Sequence, residues 1–111
     1  EILILIWPRQ VGKTTLLKYF FDKTNWQKFW FDLDKIKDCE IFSDYEKLLN
    51  FLKLKWFDLN KKLTLFVDEF QYCKGSERIF KNLYDSFENI KIFASGSSSL
   101  NIKNLIQESL A

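Results

Sequence analysis

Five residues, Val11-Gly12-Lys13-Thr14-Thr15, set just after the apolar run Ile2-Leu3-Ile4-Leu5-Ile6, constrain this chain more than any other feature of it. A β-branched strand that stops in Gly-Lys-Thr-Thr and continues as an amphipathic helix is an arrangement that holds nucleotide phosphates. Backbone N–H groups at the helix start face the anion, and the helix dipole adds partial positive charge there. In such a loop Lys13 reaches the β- and γ-phosphates and the Thr14 hydroxyl ligates Mg2+. The full spacing is G-x-x-x-x-G-K-[ST], and Trp7 stands where its first Gly belongs.

The length, 111 residues, corresponds to one domain or part of one. The chain has no Met, and Glu1 leads straight into a strand. Both features are expected of a piece of a longer protein, and Gln107-Glu108-Ser109-Leu110-Ala111 reads as a helix cut mid-course. Apolar residues make up 47%, with 12 Phe and 4 Trp, enough for a packed core. A net charge of +2, with Lys and Arg dispersed, does not by itself argue for a nucleic-acid partner. Cys39 and Cys73 stand far apart in a chain without His. That spacing excludes the usual zinc sites and is read as two thiols in a reducing cytosol. No apolar run is long enough to cross a membrane, so the expected location is cytoplasmic.

Strands are expected at Ile2–Ile6, Phe29–Leu33, Leu63–Val67 and Ile90–Ala94. A helix over Gly12–Asp22 would turn Leu16, Leu17, Phe20 and Phe21 toward the sheet. Ser43-Asp44-Tyr45-Glu46 reads as a capping box opening a helix with Tyr45, Leu48, Leu49 and Leu52 on one face. Ser76 is expected to cap a helix with Ile79, Phe80, Leu83, Tyr84 and Phe87 on one face. A last helix would start near Ser99. Strands and helices then alternate as βαβαβαβα. Near-continuous apolar strands in that order predict an α/β fold with a parallel sheet covered on both faces. Ligands of such sheets sit beyond the C-terminal strand ends, and all the chemical motifs fall there.

The second motif is Leu65-Phe66-Val67-Asp68-Glu69. Asp68 at the end of an apolar strand is placed to hold Mg2+. Glu69, pointing elsewhere, could polarise an attacking water as general base. Taken alone, the pair could equally be solvated carboxylates opening a loop. The third motif is Ser95-Gly96-Ser97, where a hydroxyl could touch a γ-phosphate or simply cap the following helix. Gln71 could orient the water or Glu69, or lie at the surface. The aromatic stripes read as core rather than as stacking platforms, and Lys35, Lys37, Lys53 and Lys55 as solvated faces.

Trp7-Pro8-Arg9-Gln10-Val11-Gly12-Lys13-Thr14-Thr15-Leu16-Leu17, Val67-Asp68-Glu69-Phe70-Gln71 and Ser95-Gly96-Ser97-Ser98 jointly resemble the AAA-type, archaeal-ATPase-like family. Its members read G-P-R-R-V-G-K-T-T-L-L, then D-E-I-Q, then T-G-S-S. The likeness covers Ile2 to Ala111 and implies a P-loop NTPase fold, a three-layer α/β/α parallel sheet of the class with an extra catalytic Glu. In that class the strand of the third motif lies between the P-loop strand and the Asp-Glu strand. The resemblance implies that residues 1–111 are a partial domain, incomplete at both ends, with the first strand at an open sheet edge. It also implies a following Gly-Arg whose Arg is a candidate γ-phosphate contact, and a C-terminal region through which the protein could self-associate or bind a partner. ATP rather than GTP rests on the resemblance alone.

The reading is therefore ATP binding and Mg2+-dependent hydrolysis. Pro8, Arg9, Gln10, Val11, Gly12, Lys13, Thr14 and Thr15 would hold ATP, with Thr14 and Asp68 placing Mg2+. Lys13, Glu69 and Ser95 or Ser97 would act on the reacting phosphate and water. Two other readings stand beside it: a non-hydrolysing nucleotide-responsive switch and a small-molecule kinase. Trp7 bears on the first of these. A Gly at this position lets the chain turn sharply with no side chain near the phosphates, whereas an indole turned inward blocks the site. Either the loop is degenerate, or codon 7 is UGA, which some genetic codes read as Trp and others as Gly. The chain has 3 Gly, against an average near roughly 7% of residues.

Overall fold

The structure, a computed structural model, describes residues 2–7 and 13–97, with only the backbone described for 3–7, 13 and 97. Pro8, Arg9, Gln10, Val11 and Gly12 lie outside the described residues, as does the helix expected from Ser99.

Four strands form one parallel sheet: β1 (Ile2–Trp7), β2 (Gln27–Asp32), β3 (Leu63–Asp68) and β4 (Ile90–Ser97), in the order β1-β4-β3-β2. The strand of the third motif thus lies between the first strand and the Asp-Glu strand, the order that the family resemblance implies. β1 forms one edge of the sheet among the described residues. The helices are α1 (Lys13–Lys23), α2 (Ile36–Phe42), α3 (Tyr45–Leu54) and α4 (Ser76–Ser86), with a 3-10 turn at Phe70–Tyr72.

Alternation along each strand sends successive side chains to opposite faces, and each face has its own cover. Phe31, Leu65, Val67, Ile92 and Ala94 are buried in one cluster with Phe42, Leu48, Leu52, Ile79, Phe80 and Leu83 of α2, α3 and α4. The other face carries an aromatic row. Trp30, Phe66 and Phe93 sit in register on three neighbouring strands, and the Phe66 and Phe93 rings stack at 5.4 Å. From α1, Phe20 stacks on Phe93 at 5.3 Å and Phe21 meets Phe66 edge-on at 5.2 Å. The result is three layers, α/β/α, with the aromatic stripes in the packing as expected. All six residues of β3 are buried. Polar Thr64 is accommodated there because Trp26 donates its indole N–H to the Thr64 hydroxyl at 2.8 Å.

Local capping differs from the expectation at two serines. Ser43 does not open α3. It follows the short helix α2, which the sequence reading did not assign, and its hydroxyl donates to the Glu40 carbonyl at 2.7 Å. Asp44, with the extended backbone that an N-cap needs, instead accepts the Lys47 N–H at 3.0 Å. Likewise Gly75, at φ 90°, takes the N-cap position of α4. Ser76 is the first residue of α4, fully buried, and donates its hydroxyl to the Phe70 carbonyl at 3.2 Å. Tyr84, expected on the apolar face of α4, is exposed.

The cysteines also differ from the expectation. Cys39 of α2 and Cys73, just past the 3-10 turn, form a disulfide with Cα atoms 5.4 Å apart. Their 34-residue separation hid the pairing. It arises because α2 packs on the same sheet face as the turn, and α2 itself went unassigned.

Candidate functional site at the C-terminal strand ends

Every parallel strand delivers its C-terminal end to one rim of the sheet. There, Asp68 closes β3 and lies opposite Asp32, the last residue of β2. The strand does not end at Ala94, as expected, before Ser95 and Ser97. β4 continues through them, and they pair with Leu5 and Trp7 of β1. Trp7 is thus the last residue of β1, level with Ser97.

Asp68, only 5% exposed, is the centre of a three-residue cluster. Its Oδ1 accepts the hydroxyl of fully buried Ser95 at 2.6 Å. Its Oδ2 accepts the hydroxyl of Thr14, in the first turn of α1, at 2.9 Å. Two hydroxyl donors thus converge on one carboxyl group. Among the described residues no buried side-chain nitrogen or oxygen lacks a partner.

The donor set suits Mg2+, which prefers hard oxygens at about 2.1 Å in octahedral geometry, so two adjacent ligands stand about 3 Å apart. The Thr14 and Asp68 oxygens already stand 2.9 Å apart. No group of three or more His, Cys, Asp or Glu residues suited to a metal occurs among the described residues.

Glu69 leaves the strand in the left-handed region, at φ 57° and ψ 43°. A non-glycine residue held there costs of order 1–3 kcal/mol and persists only where its surroundings enforce it. Here the following turn enforces it. The Tyr72 N–H donates to the Glu69 carbonyl at 3.2 Å, and Phe70 is buried against Phe80, with ring centroids 5.8 Å apart. The Glu69 side chain lies within reach of Gln71, whose amide donates to Glu69 Oε2 at 3.0 Å.

Two participants escaped the sequence reading. Asp32 was placed in a strand but given no role. Its carboxyl is raised above the usual carboxylate value, chiefly by desolvation, and further by the negative charges of Asp68 and Asp34. The Asp34 N–H and Lys35 oppose the shift. The parallel between Phe29-Trp30-Phe31-Asp32 and Leu65-Phe66-Val67-Asp68 was the available signal. Gly96 is the second. A Cβ at this position would lie 2.6 Å from the Phe70 ring and 2.8 Å from Gln71 Oε1, so only Gly lets the turn close on β4. A surface pocket lined by Lys62, Glu88, Asn89, Ile90 and Lys91 lies at the opposite end of the strands, remote from this chemistry.

No helix among the described residues is long and apolar enough to cross a membrane. The family model described as "AAA domain" matches residues 1–111. An uncharacterized protein of Methanocaldococcus jannaschii is 34% identical over 113 residues, a match taking in 93% of this chain and 23% of that protein. The chain therefore spans less than a quarter of the length of this relative.

Proposed function

From the AAA domain family, to which this chain belongs, we propose that it is the nucleotide-binding core of an ATPase that hydrolyses ATP with Mg2+. Membership itself brings ATPase-type nucleotide binding. The finer reading draws its support from one observation, the Thr14–Asp68–Ser95 cluster at the strand ends.

The loop Pro8, Arg9, Gln10, Val11 and Gly12, with Lys13 and Thr15 at the start of α1, would hold the phosphates through backbone N–H groups and the Lys13 ammonium. Thr14 and Asp68 would hold Mg2+, which when bound supplies positive charge to the phosphate oxygens. Ser95 spends its proton on Asp68 and so fixes the direction of that carboxylate. Ser97, two residues further along the same strand, is then the hydroxyl assigned to the γ-phosphate. Glu69, held by the Gln71 amide, would take the proton of the attacking water.

Trp7 favours a second reading, a nucleotide-responsive switch without turnover, because it occupies the position of the first loop Gly. Substituting Glu69 by Gln separates the readings. In an ATPase E69Q binds and retains ATP while turnover falls. In a switch it changes nothing. A kinase using another base still transfers phosphate.

A further inference from the structure

Glu69 is a base that must be aimed, and its own backbone does not aim it. A left-handed residue at a strand end leaves a long carboxylate with three side-chain torsions to fix. The turn that follows supplies a side-chain restraint. Phe70 sinks its ring into the core and its carbonyl accepts the Cys73 N–H and the Ser76 hydroxyl, which anchors the turn. Gln71, half-buried, is therefore presented at a fixed height beside β4. Its Nε2 donates to Glu69 Oε2 at 3.0 Å. A Cβ on Gly96 would meet the Phe70 ring at 2.6 Å and Gln71 Oε1 at 2.8 Å, so the turn lies close against β4 there.

We propose that Gln71 is a positioning residue: its amide holds one oxygen of Glu69 and so sets the direction of that carboxylate toward the attacking water, and Gly96 leaves room for the Phe70-anchored turn that carries Gln71. The assignment rests on the hydrolase reading above, with Glu69 as base. Chemistry fixes the orientation of the amide. A carboxylate only accepts, so the NH2 end of Gln71 must face Glu69 and its oxygen must face β4. In this scheme Gln71 acts on the reaction through Glu69. Misplacing a reacting group by about 1 Å can cost on the order of 100-fold in rate.

The test compares steady-state ATP hydrolysis and fluorescent-ATP affinity in the intact gene product and its variants Q71M, Q71A, E69Q and E69Q/Q71M. Methionine keeps the length and packing of Gln71 but cannot donate. The expected result is a fall in kcat of about 10- to 100-fold in both Q71M and Q71A, with KM for ATP and nucleotide affinity within about twofold of the parent. On the E69Q background, Q71M should change the residual turnover no further, because the group it aims is already gone. A Q71M enzyme with the parent kcat overturns the proposal, and so does an undiminished Q71M effect on E69Q. A loss of nucleotide affinity in step with kcat also overturns it, since that marks a general structural role. A parent protein with no Glu69-dependent hydrolysis overturns the hydrolase reading itself and the positioning role with it. That outcome is distinct, because it appears before any Gln71 variant is compared.

Discussion

Ser95 donates its hydroxyl proton to Asp68 Oδ1 at 2.6 Å, joining the ends of two neighbouring strands through a fully buried side chain. Because Thr14 donates to Oδ2, both Asp68 carboxyl oxygens are held. Removing the Ser95 bond strands a buried carboxylate oxygen, which costs about 1–3 kcal/mol. Ser95→Ala should lower the urea unfolding free energy by about 2 kcal/mol. Equal stability of Ser95→Ala and the parent would remove Ser95 from the account.

Asp32 carries the pH prediction. Its folded-state carboxyl is raised by burial and by Asp68. The native state then holds a proton that the unfolded chain has released, so stability falls as pH rises from the unfolded carboxylate value through the raised one. Asp32→Asn keeps an oxygen to accept the Asp34 N–H, a bond of 3.1 Å in the parent, and removes the charge. With chelator present, it should raise Tm at neutral pH, and the gain should vanish below about pH 4. Thermal melts across pH check this, and a gain of the same size at low pH would contradict it.

The disulfide ties α2 to the residue that follows the 3-10 turn, closing a loop of 34 residues in sequence separation. Chain-entropy arguments put the stabilisation of such a closure at about 3–4 kcal/mol. Cys39→Ser with Cys73→Ser should lower stability by about that amount in oxidising buffer and should remove the response to reductant. Mass spectrometry after thiol alkylation checks the pairing itself, and two freely alkylated thiols in the folded oxidised protein would refute it.

Gly96→Ala should cost about 1–3 kcal/mol through overpacking, since the new methyl group meets the Phe70 ring at 2.6 Å. Phe70→Leu removes part of that ring, so the two changes should couple in a double-mutant cycle by denaturant unfolding. Simple additivity would mean that the turn moves aside freely.

These sites show how far the sequence could be read. The four strands and the helices behind Lys13, Tyr45 and Ser76 were legible because their apolar runs are long and periodic. The motif positions were legible because parallel strands all deliver their C-terminal ends to one rim. α2 was not, since its seven residues carry too few turns for a period to show. That single omission displaced the cap from Asp44 to Ser43 and concealed the proximity of Cys39 to Cys73. The extension of β4 through Ser95-Gly96-Ser97 was hidden by turn-forming residue types. Strand pairing with β1 and the close approach of Phe70 overrode those local preferences. Asp32 needed the β2–β3 register before its closeness to Asp68 could be seen.

The central claim, that this rim binds Mg-ATP, is tested most directly by calorimetric titration of the intact gene product with Mg-ATP, with Trp7 as written. The account predicts saturable binding that Lys13→Ala abolishes. A silent parent restored by Trp7→Gly would locate the block at residue 7 and turn attention to its codon, where UGG would sink the misreading idea. Absence of binding in both the parent and Trp7→Gly would contradict the account.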